Sequence, residues 1–224
     1  MSLAWTAARV PPRETLTGAT VRLEPLDPER HALPLFEASH SDGAAGPLFR
    51  YLPYGPFAGF EEFREWLGQR AASTDPLFYA IVDGETPTPK GMASYLRMVP
   101  EHGVIEIGHI WLGPELQRTR QATEAIYLMA KHAFDDLGYR RLEWKCDALN
   151  EPSRRAADRF GFTFEGIFRQ HLVVKGRNRD SAWFSMLDGE WPRIRAGFEA
   201  WLAPENFDAD GRQRQSLSAV RDAI

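Results

Sequence analysis

Residues 105–125 read IEIGHIWLGPELQRTRQATEA, and the fold turns on how this stretch is parsed. From Val104 to Leu112 the residues are β-branched or aromatic at most positions, which predicts a strand, and Gly113-Pro114 ends it. Beyond Pro114 the apolar spacing lengthens from two to 3.6. Ala122, Ile126, Met129, Ala130 and Phe134 fall on one helical face, and Gly138 supplies a left-handed stop. RRLEWKC (140–146) then alternates Leu142, Trp144 and Cys146 as another strand. A helix over 117–137 returns the chain so that 140–146 lies parallel to 104–112, a βαβ unit.

That unit poses a question of charge. Arg118 and Arg120 stand at a helix start, where the macrodipole disfavours cations by a few tenths to about 1 kcal/mol. The same start presents unpaired backbone N–H groups that favour an anion. Either both arginines point into water, or they flank a phosphate whose contacts offset the dipole term.

Working outward, TVRLEPL (20–26) predicts a short strand, after which Asp27 caps and Pro28 opens a helix carrying Leu33, Leu35, Phe36 and Ala38. Residues 41–60 mix Gly, Pro and aromatics without a period and read as a loop. A helix over 61–72 buries Phe63, Trp66 and Leu67, and strands over 77–83, 91–99 and 104–112 form an antiparallel meander. After residue 146, Asn150 caps and Pro152 opens a helix closed by Gly161. The last two strands, 162–174 and 180–191, are joined by the basic turn KGRNR, with a further helix over 192–202. Residues 1–17 read as an N-terminal arm in which Met1-Ser2-Leu3 is compatible with a cloning remnant. Residues 18–203 read as one domain and 204–224 as a loose polar tail.

With 224 residues, 43% of them apolar, the chain can bury one substantial core. A net charge of −4 argues against a broad nucleic-acid footprint. No apolar run is long enough to span a bilayer and no secretory leader precedes the first strand, so a cytoplasmic protein without a membrane partner is expected. Cys146 is the one cysteine and sits in a strand pattern, as a buried thiol would. GxxxxGK(S/T), GxGxxG and GxSxG motifs are missing, and the 6 histidines lack metal-ligand spacing, so no metal is expected.

EIGHIWLGPELQRTRQATEA (106–125) followed by NEPSRRAADRFGFTFEG (150–166) resembles the GCN5-related N-acetyltransferase superfamily, in the branch similar to the ribosomal-protein alanine acetyltransferases. The resemblance implies an α+β fold: a central, mostly antiparallel sheet of about seven strands, helices on both faces, and splayed parallel fourth and fifth strands. Acetyl-CoA would enter that V with its pyrophosphate on the next helix start. The family's (Q/R)xxGx(G/A) loop falls on Gln117, Arg118, Thr119, Arg120, Gln121 and Ala122. Arg120 replaces the usual glycine, so either its side chain points outward while its amide still binds, as expected here, or the chain binds coenzyme weakly. Ile110, Trp111 and Leu112 are carried over as coenzyme-binding strand residues, with bulky packing as a further role for Trp111 and Trp144. Asn150 resembles the residue that meets the pantetheine arm and is also a plain helix cap. Ser153 is either a proton donor near the coenzyme sulfur or a first-turn hydroxyl.

The implied activity is acetyl transfer to a primary amine, on a small molecule or a peptide amino terminus, by direct attack in a ternary complex. Glu106 resembles the family's acidic residue, as base or as a binder of the substrate ammonium. His109, with an ordinary pKa of about 6.5, is either a second titratable candidate or a packed or exposed strand histidine. Their odd separation puts them on opposite faces of a regular strand, so only a bulge brings both to one site. Arg50, Tyr51, Tyr54 and Phe57 either lie over the acceptor entrance or fill a small core of their own. Two alternatives stay open: a non-catalytic acyl-CoA-binding module, and the same fold with another donor such as succinyl-CoA. Strand edges and WFSMLDGEWPRI (183–194) permit a homodimer.

Overall fold

The structure is a computed structural model that describes residues 4–84 and 86–224; Met1 to Leu3, compatible with a cloning remnant, lie outside the described residues. In chain order the elements are β1 (Leu16–Thr17), β2 (Val21–Pro25), α1 (Pro28–His40), α2 (Ala45–Phe49), α3 (Phe60–Ala72), β3 (Leu77–Asp83), β4 (Pro89–Val99) and β5 (Val104–Leu112). Then come α4 (Arg120–Lys131), β6 (Arg141–Asp147), α5 (Glu151–Phe160), β7 (Thr163–Val174), β8 (Arg177–Leu187), α6 (Trp191–Leu202) and α7 (Leu217–Asp222). The helix starts follow from local chemistry. Asp27, Thr119, Asn150 and Ser216 each accept a first-turn amide through the side chain, and Gly161 at φ 93° closes α5 in the left-handed conformation.

Among the described residues one sheet of eight strands runs in the order β1-β2-β3-β4-β5-β6-β8-β7, and every neighbouring pair but one is antiparallel. The expected sheet of about seven gains a two-residue strand, β1, at its edge, so the parallel pair is β5 and β6. That pair is in register from Val104↔Arg141 to Ile107↔Trp144 and no further, although β5 runs on to Leu112 and β6 to Asp147. The two strands part at this point.

Alternation along β3 sorts the core into two layers. Tyr79 and Ile81 face α4, α5 and α6, with Ile105, Ile107, Leu142 and Trp144. Phe78, Ala80 and Val82 face α1 and α3, where Phe63 and Leu67 are wholly buried and each contributes about 1.5–3 kcal/mol by leaving water. Helices thus cover both faces. No helix among the described residues is long and apolar enough to cross a membrane.

Three sequence expectations need correction. Residues 204–224 are no loose tail: Leu217 is 1% exposed, and Arg221 donates to the carbonyls of Asp158 (3.0 Å) and Arg159 (3.1 Å) at the end of α5. Trp201 supplies the remaining reason, since its indole N–H donates to Gln213 Oε1 at 3.0 Å. The basic turn shrinks to Lys175-Gly176, at φ 50° and 72°, which suits a tight hairpin and places Arg177, Asn178 and Arg179 on β8. The loop 41–60 contains α2. At the other terminus the arm is held down, with Ala8 N–H donating to Pro100 O at 3.0 Å and Arg9 N–H to Leu137 O at 2.9 Å.

Candidate active site

The bulge that Glu106 and His109 require is present. Met92 pairs with Trp111 and Ser94 with Gly108, so three steps along β5 match two along β4. The surplus falls at His109, whose φ is 51°. Ile105 and Ile107 face the α4 layer, which sends Glu106 to the opposite face. His109 would follow Ile107 in a regular strand. Instead its ring lies 5.1 Å from Phe78 and 5.6 Å from Tyr54, on the Glu106 side, and Trp111 joins the same layer.

The two groups differ in charge behaviour. Glu106 is 5% exposed; Lys145 Nζ lies 2.9 Å from its Oε2 and Arg97 Nε 3.7 Å. Burial raises its pKa above 4.5, and the two cations pull it only partly back. Lys145 is itself buried, 2.6 Å from Glu143 Oε2 and 3.8 Å over the Trp183 ring. Burial first, then Arg70, Arg179 and Arg97, lowers His109 to about 4, and its Nδ1 has no partner among the described residues. His109 is therefore neutral near pH 7.

Where β5 and β6 part, a cleft of about 1770 Å³ opens from Glu106 and His109 to the start of α4. The separation leaves backbone groups of Gly108–Leu112 without the ladder partners that a continued β6 would supply. Ile110, Trp111 and Leu112 line one wall, and Trp144, Cys146, Asn150 and Ser153 the other. At the far end Thr119 caps α4, its Oγ1 accepting from Ala122 N–H at 3.1 Å, while the amides of Arg120 and Gln121 have no intrahelical acceptor. Gln117, Arg118, Thr119, Arg120, Gln121 and Ala122 all line this end.

The two arginines prove to be different. Arg118 is exposed, with φ 63°, and borders the cleft. Arg120 does not point outward: its guanidinium donates to Leu202 O at the C-terminus of α6 and lies 4.7 Å over the Phe207 ring. A helix C-terminus attracts a cation, so this contact offsets the unfavourable start of α4 without any ligand.

On the wall from β6 and α5, Asn150 Oδ1 accepts from Ser153 N–H at 3.3 Å, and Ser153 Oγ accepts from the Trp144 indole at 3.0 Å. Cys146, a free buried thiol, has its pKa raised by burial and partly restrained by a hydrogen bond with Ser153. Of the four residues read as acceptor entrance, Tyr51 lines the cleft and donates to Leu149 O at 3.0 Å. Arg50 is exposed, 5.3 Å over the Tyr51 ring. Tyr54 and Phe57 are not at the entrance. They pack on Trp66 at 4.4 Å and 5.1 Å within the α1–α3 aromatic layer. Among the described residues no group of three or more His, Cys, Asp or Glu side chains is placed to hold a metal ion.

Sequence reasoning did not find Lys145, Arg97, His171 and Arg179, which surround Glu106 from four other strands. The alternation of LEWKC was a usable signal for Lys145 alone, since it puts Lys145 on the face opposite Leu142, Trp144 and Cys146.

A parallel strand pair that parts beside a buried carboxylate and ends at an open helix start defines the GNAT class of fold. Residues 20–163 match the acetyltransferase (GNAT) domain family, and the chain belongs to that family. It is 50% identical to a GCN5-related N-acetyltransferase from Brucella melitensis, over 98% of this chain and 99% of that one, with a TM-score of 0.95. A GNAT-family protein from Chromobacterium violaceum ATCC 12472 is 45% identical over 86% of this chain and 95% of its own, with a TM-score of 0.79. The candidate ribosomal N-acetyltransferase YdaF of Bacillus subtilis (strain 168) is 32% identical over 101 residues, 45% of this chain and 55% of that protein. The chain spans 55% and 63% of the lengths of the curated relatives it matches.

Proposed function

We propose that the protein transfers an acetyl group from acetyl-CoA to a primary amine, by direct attack within a ternary complex. The observation that carries this reading is the parting of β5 and β6 after Ile107↔Trp144, which joins the Glu106 end of the cleft to the open amides at α4. The donor supplies an activated thioester. Residues Ile110, Trp111, Leu112, Asn150 and the helix start from Gln117 to Ala122 would hold it. A ladder continued beyond Ile107 would leave no room for such a chain, whereas the cleft of about 1770 Å³ accommodates a group of this size.

Transfer forms a C–N bond and breaks the C–S bond; the amine loses one proton and the departing thiolate gains one. Glu106 is the group assigned to the amine proton, directly or through water, because burial keeps its basicity above that of an ordinary carboxylate. His109, held near 4, is a weaker base and is assigned to shaping the site by stacking on Tyr54. Ser153 accepts from Trp144 and keeps its own proton available toward Cys146 and the sulfur end of the donor. The similarity to a candidate ribosomal N-acetyltransferase supports a peptide amino terminus as acceptor.

Release of free thiol from acetyl-CoA, followed over a panel of amines that includes peptides with free amino termini, tests this. Turnover on at least one peptide amine is expected. Tight acetyl-CoA binding with no release on any amine contradicts it and makes the protein a binding module.

A further inference from the structure

The Glu106 end of the cleft carries more positive charge than the fold uses. Arg97 on β4, Lys145 on β6 and Arg179 on β8 all line it. Lys145 is engaged by Glu106 and Glu143. Among the described residues the Arg97 guanidinium reaches only the Glu106 oxygen already bound by Lys145, at 3.7 Å, with its side chain 48% exposed. The Arg179 guanidinium makes no hydrogen bond or ion pair with any described residue, and its Nε is buried without a partner. The adjacent Asp180 forms no ion pair with it; its Oδ1 accepts from Gln170 N–H at 2.7 Å and from Asn178 at 2.9 Å.

Buried donors without acceptors are uncommon in folded chains, and the planar fork of a guanidinium matches a carboxylate in two-point contact. The fields of these cations converge: after burial, Arg97, Arg179 and Lys145 all hold down the pKa of His171, whose ring nitrogen lies 2.8 Å from Ser181 Oγ. The place is distinct from the start of α4, where the donor's phosphates are assigned. An anion arriving here would sit beside the reacting atoms.

We infer that Arg97 and Arg179 form a carboxylate subsite next to Glu106, so that the molecule reacting there carries a carboxylate close to its reacting atom. This deepens the transferase reading and rests on it for the word reacting. The carboxylate has two sources: an acidic group near the acceptor's amine, or the far end of a dicarboxylic acyl donor.

Titration calorimetry with succinate on the full chain tests the subsite without turnover. Wild type binds succinate, Arg179→Gln weakens binding about tenfold or more, and Arg179→Lys restores part of it. The guanidinium bonds no described residue, so Arg179→Gln is expected to keep the structure, checked by an unchanged Tm. No succinate binding by wild type, or equal binding by Arg179→Gln, overturns the subsite.

Turnover then assigns the source. With acetyl-CoA, a preference of tenfold or more in kcat/KM for acidic over neutral peptides, lost in Arg179→Gln, supports an acceptor carboxylate. The same preference for succinyl-CoA over acetyl-CoA on a neutral amine supports a donor carboxylate. Turnover with neither preference overturns the subsite even if succinate binds. Inertness with both donors on every amine contradicts the transferase reading, and the succinate result then decides the subsite by itself.

Discussion

Glu106 sits where two effects oppose each other: burial favours its neutral form, while Lys145 at 2.9 Å favours the carboxylate. Burial dominates, so as a base Glu106 loses its working form when the pH falls through a raised pKa. Glu106→Gln should lower kcat by roughly 10² or more, and a rate-against-pH profile should lose its acid limb. An unchanged acid limb in the variant would assign the base elsewhere. His109 gives a separate signal in stability. Its folded pKa of about 4 lies below the ordinary 6.5, so in that window the unfolded chain binds more protons, and stability is full above about 6.5 and falls toward 4. His109→Phe, which keeps the stack on Tyr54, should flatten that part of a Tm-against-pH curve. The shared face of these two residues was not legible in the sequence. Strict alternation separates them, and the bulge that joins them arises from register with β4, a contact that no local pattern carries. The aromatic residues of the 41–60 segment failed for a similar reason: composition marks Tyr51 and Phe57 alike, and only packing sends one to the cleft and the other to the core.

Elements were legible where their cause is local. Asp27 and Asn150 cap the helices that they precede, and the change of period after Pro114 marks the passage from β5 to α4. The joint between them is tight. A Cβ on Gly113 would lie 2.9 Å from both Ala38 O and Lys90 O, and backbone oxygens cannot swing aside as a side-chain end can. Gly113→Ala should therefore cost about 1–3 kcal/mol, and in a chain of this size each kcal/mol lowers Tm by about 2–4 °C. Displacement of the α4 start should also raise the KM for acetyl-CoA. A Tm and KM both equal to wild type would show that this joint does not position the helix start. Arg120 illustrates the limit of local reasoning: its position at a helix start is plain in the sequence, but the Leu202 carbonyl that satisfies it lies on α6.

For the whole molecule, the two-layer core and the βαβ unit follow from apolar period, and the chain's membership of the GNAT family accords with both. The C-terminal segment was misread because its polar composition hides one anchoring residue, Leu217, and a series of hydrogen bonds to α5 and Trp201. Pro204, Phe207 and Gln213 also border the cleft at the α4 end. Deletion of residues 204–224 should lower Tm by exposing the surface around Trp201, and should weaken acetyl-CoA binding by removing Phe207 from beneath Arg120. A truncated chain with wild-type Tm and calorimetric affinity would mean that the segment is dispensable.

The gap between β5 and β6 is tested most directly by a crystal structure of the full chain with acetyl-CoA. Density for the donor should run between Gly108–Leu112 and Cys146–Asn150, with the pyrophosphate at the amides of Arg120 and Gln121 and the acetyl group toward Glu106. Strands hydrogen-bonded past Ile107 and Trp144, with the coenzyme bound elsewhere, would contradict it.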